Sequence, residues 1–313
     1  MNFTKGEVIA INKPLDMTSF SALAYVRKRL CMRLGVKKLK VGHAGTLDPL
    51  ATGVLVLCTG KFTKRIEEFQ QHGKEYTATL QLGATTPSYD MEHPVNETYP
   101  TDGITRERIE EVLRQFEGDI EQVPPTFSAC KVSGQRAYEL RRNGKDVELK
   151  AKQIRIDEIE LLDFNAETMQ MSIRVACGKG TYIRALARDI GRALNSGAYL
   201  TALCRTRSGE YRVENCIELK QFEDWLAQQT IETTEDDIQT QIDQIAQQLG
   251  QSGADNDELA NKIALLRKEM ASINHEPYYD RVYNLRFDSI QKRQSENSIR
   301  INGDIVRAYE KEL

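Results

Sequence analysis

Five consecutive apolar residues, Val54-Leu55-Val56-Leu57-Cys58, stand between Gly53 and Gly60 with no polar position among them. The run is far too short for a membrane span and reads as a strand buried in a core. Strand and helix patterns alternate around it. Glu7–Asn12 reads as a short strand, and Glu75–Leu82 alternates, with Tyr76, Ala78, Leu80 and Leu82 on one face. Ile154–Phe164 and Met169–Ala176 read as strands joined by a turn near Asn165. Thr18 or Ser19 can cap a helix running to about Leu34, with Phe20, Leu23, Val26 and Leu30 on one face. Thr105–Phe116 is helical by the spacing of Ile109, Val112, Leu113 and Phe116. Thr181–Leu194 is helical with Ile183, Leu186, Ala187, Ile190 and Leu194 inward. The pattern is mixed α and β, with many hairpin-like strand pairs.

The formal net charge of −3 conceals two unlike parts. Residues 230–313 carry 10 Lys and Arg against 16 Asp and Glu, and residues 1–229 carry 33 against 30. The mildly basic first part permits phosphate contacts, and the last part is acidic. The division predicts a catalytic unit over 1–229 and an acidic, mainly helical extension over 230–313. Within that extension Ile238, Ile242, Ile245 and Leu249, then Leu259, Ile263, Leu266, Met270 and Ile273, follow helical spacing around a Gly250–Gly253 break. Such a pair of helices is compatible with self-association or with packing inside the chain. Six cysteines without a C-x-x-C pair and four scattered histidines suggest buried thiols and no metal site. No G-x-G-x-x-G or P-loop is present, so no nucleotide cofactor is expected. No membrane span and no signal-peptide pattern are seen, which leads to the expectation of a cytoplasmic protein.

The densest chemical signal is Gly42-His43-Ala44-Gly45-Thr46-Leu47-Asp48-Pro49-Leu50-Ala51-Thr52-Gly53. The segment reads as a loop, in which three glycines allow tight turns and close approach of a ligand. His43 and Asp48 are the side chains in it capable of acid, base or nucleophilic work. Pro49 stiffens the segment, and the apolar run behind it anchors it in the core. An Asp-Pro pair also starts ordinary turns, so these residues alone leave both readings open.

The segment closely resembles the G-H-x-G-T-L-D-P-x-A-x-G motif of the TruB family, pseudouridine synthases that modify uridine 55 in the tRNA T-loop. Other segments resemble the family in the same order. They are Asn12-Lys13-Pro14 with Thr18-Ser19, Lys74-Glu75-Tyr76, Gln122 to Pro125 with Ser128, Ala129, Lys131, Ala137 and Tyr138, Gly178 to Arg184, and Gly197-Ala198 through Leu200, Leu203 and Arg205. The resemblance covers about residues 6–226. It departs at Asp16, where glycine is usual, at Tyr199, where histidine is usual, and at Cys204, where arginine is usual. The residues beyond about 230 do not resemble the RNA-binding C-terminal domain of many relatives.

The resemblance implies an α+β fold, a mixed and largely antiparallel sheet flanked by helices and loops. It implies Asp48 as the catalytic carboxylate, Arg184 as its ion-pair partner and Tyr76 as a ring stacked on uracil that assists proton removal. Tyr182 and Leu203 would line the base pocket, and His43 would stand near the flipped base. The partner implied is tRNA, through its T-arm, with the target base extruded from its stack. Lys13, Lys61, Lys64, Arg65, Lys131, Arg141, Arg142 and Lys179 are candidate phosphate contacts. Two other readings compete: an RNA-binding helper for tRNA folding, and an interaction protein acting through its acidic extension.

Overall fold

A strand without a polar face has to be covered on both sides, and the apolar run is. In the computed structural model it forms the middle of a 10-stranded sheet. The structure describes residues 1–125, 131–132, 135–136 and 149–231. In chain order the described elements are β1 (Val8–Lys13), α1 (Ser19–Leu34), β2 (Val41–His43), β3 (Ala51–Thr59), α2 (Ile66–Gln71), β4 (Lys74–Leu82), β5 (Ala84–Thr85) and β6 (Glu97–Thr98). Then come α3 (Arg106–Arg114), β7 (Gly118–Gln122), β8 (Lys131–Val132), β9 (Gln135–Arg136), β10 (Lys152–Asn165) and β11 (Gln170–Cys177). The last are α4 (Ile183–Ala193), β12 (Ala198–Ser208), β13 (Tyr211–Arg212), β14 (Ile217–Glu218) and α5 (Phe222–Ala227).

The sheet runs β14-β1-β3-β12-β4-β11-β10-β7, with β2 added to β3 and β13 to β12. The β14–β1 and β3–β12 pairs are parallel and the rest antiparallel. This matches the expected mixed, largely antiparallel sheet. Leu55 and Leu57 of β3 pack with α1 and α5 in one cluster, and Val54, Val56 and Cys58 pack with Phe69 of α2 on the other side. Burial on both faces is why β3 shows no alternation. Helices α3 and α4 cover β4, β10, β11 and β12, burying Ile109, Val112, Leu113, Ile183, Leu186 and Ile190. Alternation in β4 buries Tyr76, Ala78, Leu80 and Leu82 as its period predicts.

Three expectations need correction. Phe20 is 65% exposed, because the buried stripe of α1 enters its first turn through Ser19, about 100° around the helix. The motif segment is not wholly loop: His43 ends β2 and Ala51 begins β3, leaving the turn to residues 44–50. Tyr182 is the cap of α4 and not within it. The helical spacing over 236–273, together with Ser128, Ala129, Ala137, Tyr138, Arg141 and Arg142, lies outside the described residues.

Candidate active site

The turn that carries Asp48 is short and tied at several points. Ser19 Oγ accepts from Leu47 N at 2.8 Å and donates to Leu47 O at 3.0 Å. Lys13 Nζ donates to Pro14 O and Met17 O and, at 3.4 Å, to Pro49 O. The N-terminal Lys13 and Thr18-Ser19 pattern therefore has a local physical cause: Thr18 caps α1, and Ser19 and Lys13 grip the residues on either side of Asp48. Gly53, at φ +101, runs so close to β12 that a Cβ would lie 2.2 Å from the Arg205 carbonyl oxygen. Only glycine lets this strand entry pack.

Arg184 is the second residue of α4. The helix cap, Tyr182, makes no capping bond with its side chain. Gln122, at the end of β7, instead braces the backbone of the cap residue itself: its Oε1 accepts from Tyr182 N at 2.9 Å and its Nε2 donates to Tyr182 O at 3.2 Å. The helix start so held aims Arg184 inward. Its Nε lies 2.9 Å from Asp48 Oδ2 and 3.6 Å from Asp90 Oδ2, and its Nη1 donates to Ser88 O at 3.2 Å. The Arg184 side chain is 6% exposed and that of Asp48 42%. The guanidinium is thus buried while the carboxylate opens onto the cavity. Asp90 is itself fixed, accepting from Ser88 Oγ at 2.6 Å and Glu92 N at 3.0 Å. A charge-assisted pair of this kind orients a carboxylate.

The cavity beside Asp48 has a volume of about 350 Å³. Tyr76, Tyr182 and Leu203 line it together with Asp48 and Arg184, so five of the six expected site residues meet at one place. Its other charged lining residues are Lys74, Lys179 and Arg205, so one carboxylate faces four cations. Burial pushes the Tyr76 hydroxyl above the ordinary tyrosine range, and the Arg205 guanidinium opposes this. Lys74, whose Nζ donates to Gln70 O at 2.5 Å, is lowered to about 8 by burial first and Arg205 second.

His43 is the exception. It pairs with Leu57 across β2 and β3 and is not on the cavity wall. Its Nδ1 is buried without a hydrogen-bond partner, and burial, then Arg205, lowers its pKa, which favours the neutral ring. Lys13, expected at phosphate, is instead fully buried and lowered to about 8 by desolvation. Lys61, Lys64, Arg65 and Lys179 are exposed, Arg65 pairing with Glu68 at 2.9 Å, and the side chain of Lys131 lies outside the description. The departures at Asp16, Tyr199 and Cys204 do not line the cavity. Asp16 has φ +58, which explains the usual glycine there and why a short polar side chain substitutes for it. Asp90, Ser88 and the bond of Gln122 to the backbone of Tyr182 were not visible in the chain's pattern. Asp90 lies in an irregular loop, and only its meeting with Arg184 marks it.

An ionised carboxylate at the wall of a cation-lined cavity, with an aromatic ring beside it, can attack a sugar carbon or stabilise charge there while a flat base stacks. The family model described as TruB family pseudouridylate synthase (N terminal domain) matches residues 31–183, and that described as tRNA pseudouridylate synthase B C-terminal domain matches 184–250. The chain is 65% identical over 238 residues to the tRNA pseudouridine synthase B of Bacteroides thetaiotaomicron, covering 75% of this chain and 99% of that one. It is 43% identical over 225 residues to the enzyme of that name in Francisella tularensis, covering 72% of each chain. Among solved structures it is similar to a chain of a Cbf5-Nop10-Gar1 complex, at TM-score 0.54 and 30% identity, covering 72% of this chain and 56% of that one. It is likewise similar to a chain of an H/ACA RNP bound to a substrate RNA containing 2'-deoxyuridine, at TM-score 0.52 and 28% identity, covering 72% and 54%. This chain spans little more than half the length of those two solved chains. From the matches of sequence and family model, the chain belongs to the TruB family of pseudouridylate synthases.

Proposed function

We propose that the chain isomerises uridine 55 in the T-loop of tRNA to pseudouridine, with Asp48 as the catalytic carboxylate. The observation that carries this reading is the 2.9 Å pair of Asp48 with the buried Arg184 beside a cavity walled by Tyr76. The uridine leaves its stack at a cost of a few kcal/mol and enters the cavity. Asp48, aimed by its pair with Arg184, meets the sugar as the N1–C1′ bond breaks, as nucleophile or as stabiliser of the detached state. The base turns, C5 joins C1′, and the proton on C5 leaves with help from Tyr76. The electrons and atoms balance within the nucleotide, so the isomerisation consumes neither redox equivalents nor phosphate energy.

Tyr182 and Leu203 flank the base from the start of α4 and from β12. His43, two residues before Gly45 on the stem of the turn, belongs to this proposal as a residue meeting RNA around the flipped base. The excess of cations in the wall suits a phosphate-bearing partner. The catalytic unit is residues 1–229, with 230–313 an appended acidic segment open to a partner or a second copy. The enzyme would act on tRNA in the cytoplasm. Mapping pseudouridine in unmodified tRNA incubated with the purified chain tests the reading. One new pseudouridine at T-loop position 55 is expected, and its loss from tRNA carrying cytidine there. Modification elsewhere, or none in the T-loop, overturns it.

A further inference from the structure

Arg205 is the largest fully buried side chain among the described residues, at 2% exposure, yet it reaches the cavity wall. Among the described residues no carboxylate pairs with it. A buried cation without a counter-charge is costly, so the groups that it does meet carry weight. Its Nε donates to Val54 O at 2.7 Å and its Nη2 to Gly45 O at 3.0 Å. Those two carbonyls flank Asp48 in the chain, Gly45 within its turn and Val54 in β3. Along the sheet Arg205 is the residue directly opposite Gly53 on β3 and directly opposite Tyr76 on β4. Gly53 offers no side chain, and Gly45 is so near that a Cβ there would lie 3.5 Å from Nη1. On its other flank the guanidinium faces the Tyr76 hydroxyl and favours its ionised form.

One side chain thus joins the turn that bears Asp48, and the strand that follows it, to the ring that faces the base. Ser19 and Lys13 grip the same turn but belong to the N-terminal segment and do not line the cavity. We propose that Arg205 is a positioning residue for the reaction, fixing the Asp48 turn and the Tyr76 hydroxyl in one relation to each other. This rests on the roles assigned above to Asp48 and Tyr76. If Tyr76 receives the C5 proton, Arg205 also sets the pH at which its oxygen is able to accept it.

The test uses the full chain with Arg205→Gln and Arg205→Lys, each also combined with Tyr76→Phe. Single-turnover pseudouridine formation is followed across pH, with tRNA affinity and melting temperature measured beside it. Arg205→Gln is expected to lower the single-turnover rate roughly 10- to 100-fold, the scale of a misplaced catalytic group, with affinity little changed. Arg205→Lys keeps the charge but cannot reach both carbonyls, so it should recover only part of the rate. The rise of rate with pH should move to higher pH in Arg205→Gln, because removing the cation leaves the Tyr76 hydroxyl harder to ionise. In the Tyr76→Phe background the same substitution should cost distinctly less, the mark of coupled residues. The proposal is overturned by a wild-type rate in Arg205→Gln. It is equally overturned by the same loss in both backgrounds with an unmoved pH curve, or by a loss that follows melting temperature without recovery by lysine. If Arg205→Gln does not fold, Arg205→Lys decides alone: a wild-type rate there contradicts the proposal. A wild-type chain forming no pseudouridine would instead sink the functional reading itself.

Discussion

Arg184 is held between two carboxylates of unequal exposure, Asp48 open to the cavity and Asp90 buried behind it. The second carboxylate balances the guanidinium and stops it from turning. Asp90→Asn keeps the shape and removes the charge. Its single-turnover rate should fall roughly 10- to 100-fold, through misplacement of Arg184, at unchanged tRNA affinity. Rapid-quench kinetics would measure this, and a wild-type rate would remove Asp90 from the account. Asp48 and Arg184 were both legible in the chain, one in a glycine-flanked motif and one at a helix start. Asp90 was not, because nothing in Thr86-Pro87-Ser88-Tyr89-Asp90 distinguishes it from turn chemistry until the fold brings Arg184 to it. His43 was read from the same motif as Asp48, and it stands on β2, paired with Leu57, outside the set of residues that line the cavity.

At the level of elements, the start of α4 depends on a brace borrowed from β7. Gln122→Ala removes the acceptor of the Tyr182 N–H, while the Tyr182 C=O keeps its bond from Leu186 N at 3.0 Å. Losing such a hydrogen bond costs about 1 kcal/mol, and a melting-temperature drop of a few degrees should report it together with a slower reaction. An unchanged rate would show that Arg184 does not need this support. Where burial follows a simple period the elements were readable: β4 by alternation, α3 and α4 by their helical stripes, β3 by its apolar run. β12 was not read as a strand. Its pairing with β4 shifts register between Leu200 and Ala202 and again between Arg205 and Arg207, so its alternation is broken, and it carries Arg205 inward. β2 has three residues and a glycine, too few to make a pattern. The first turn of α1 was misread because Ser19, a polar residue, takes the inward position to hold Leu47, leaving Phe20 outside.

On the scale of the whole molecule, the basic part and the acidic part differ in charge, and the match to the C-terminal family model, ending at residue 250, reaches past the boundary between them. The relative from Bacteroides thetaiotaomicron is matched over 99% of its length by 75% of this chain. That relative therefore has no counterpart for most of 230–313. No helix among the described residues is long and apolar enough to cross a membrane. A chain ending at residue 231 should fold and modify tRNA at close to the full-length rate, by circular dichroism and single-turnover assay. Loss of folding would mean that the acidic segment is part of the catalytic unit. The account as a whole turns on the charge of one side chain. Asp48→Asn preserves size and the approach to Arg184 but cannot attack or stabilise a sugar cation. Incubated with excess enzyme, tRNA should bind this variant as it binds wild type and yield no pseudouridine. Product formed at the wild-type rate would contradict the central claim directly.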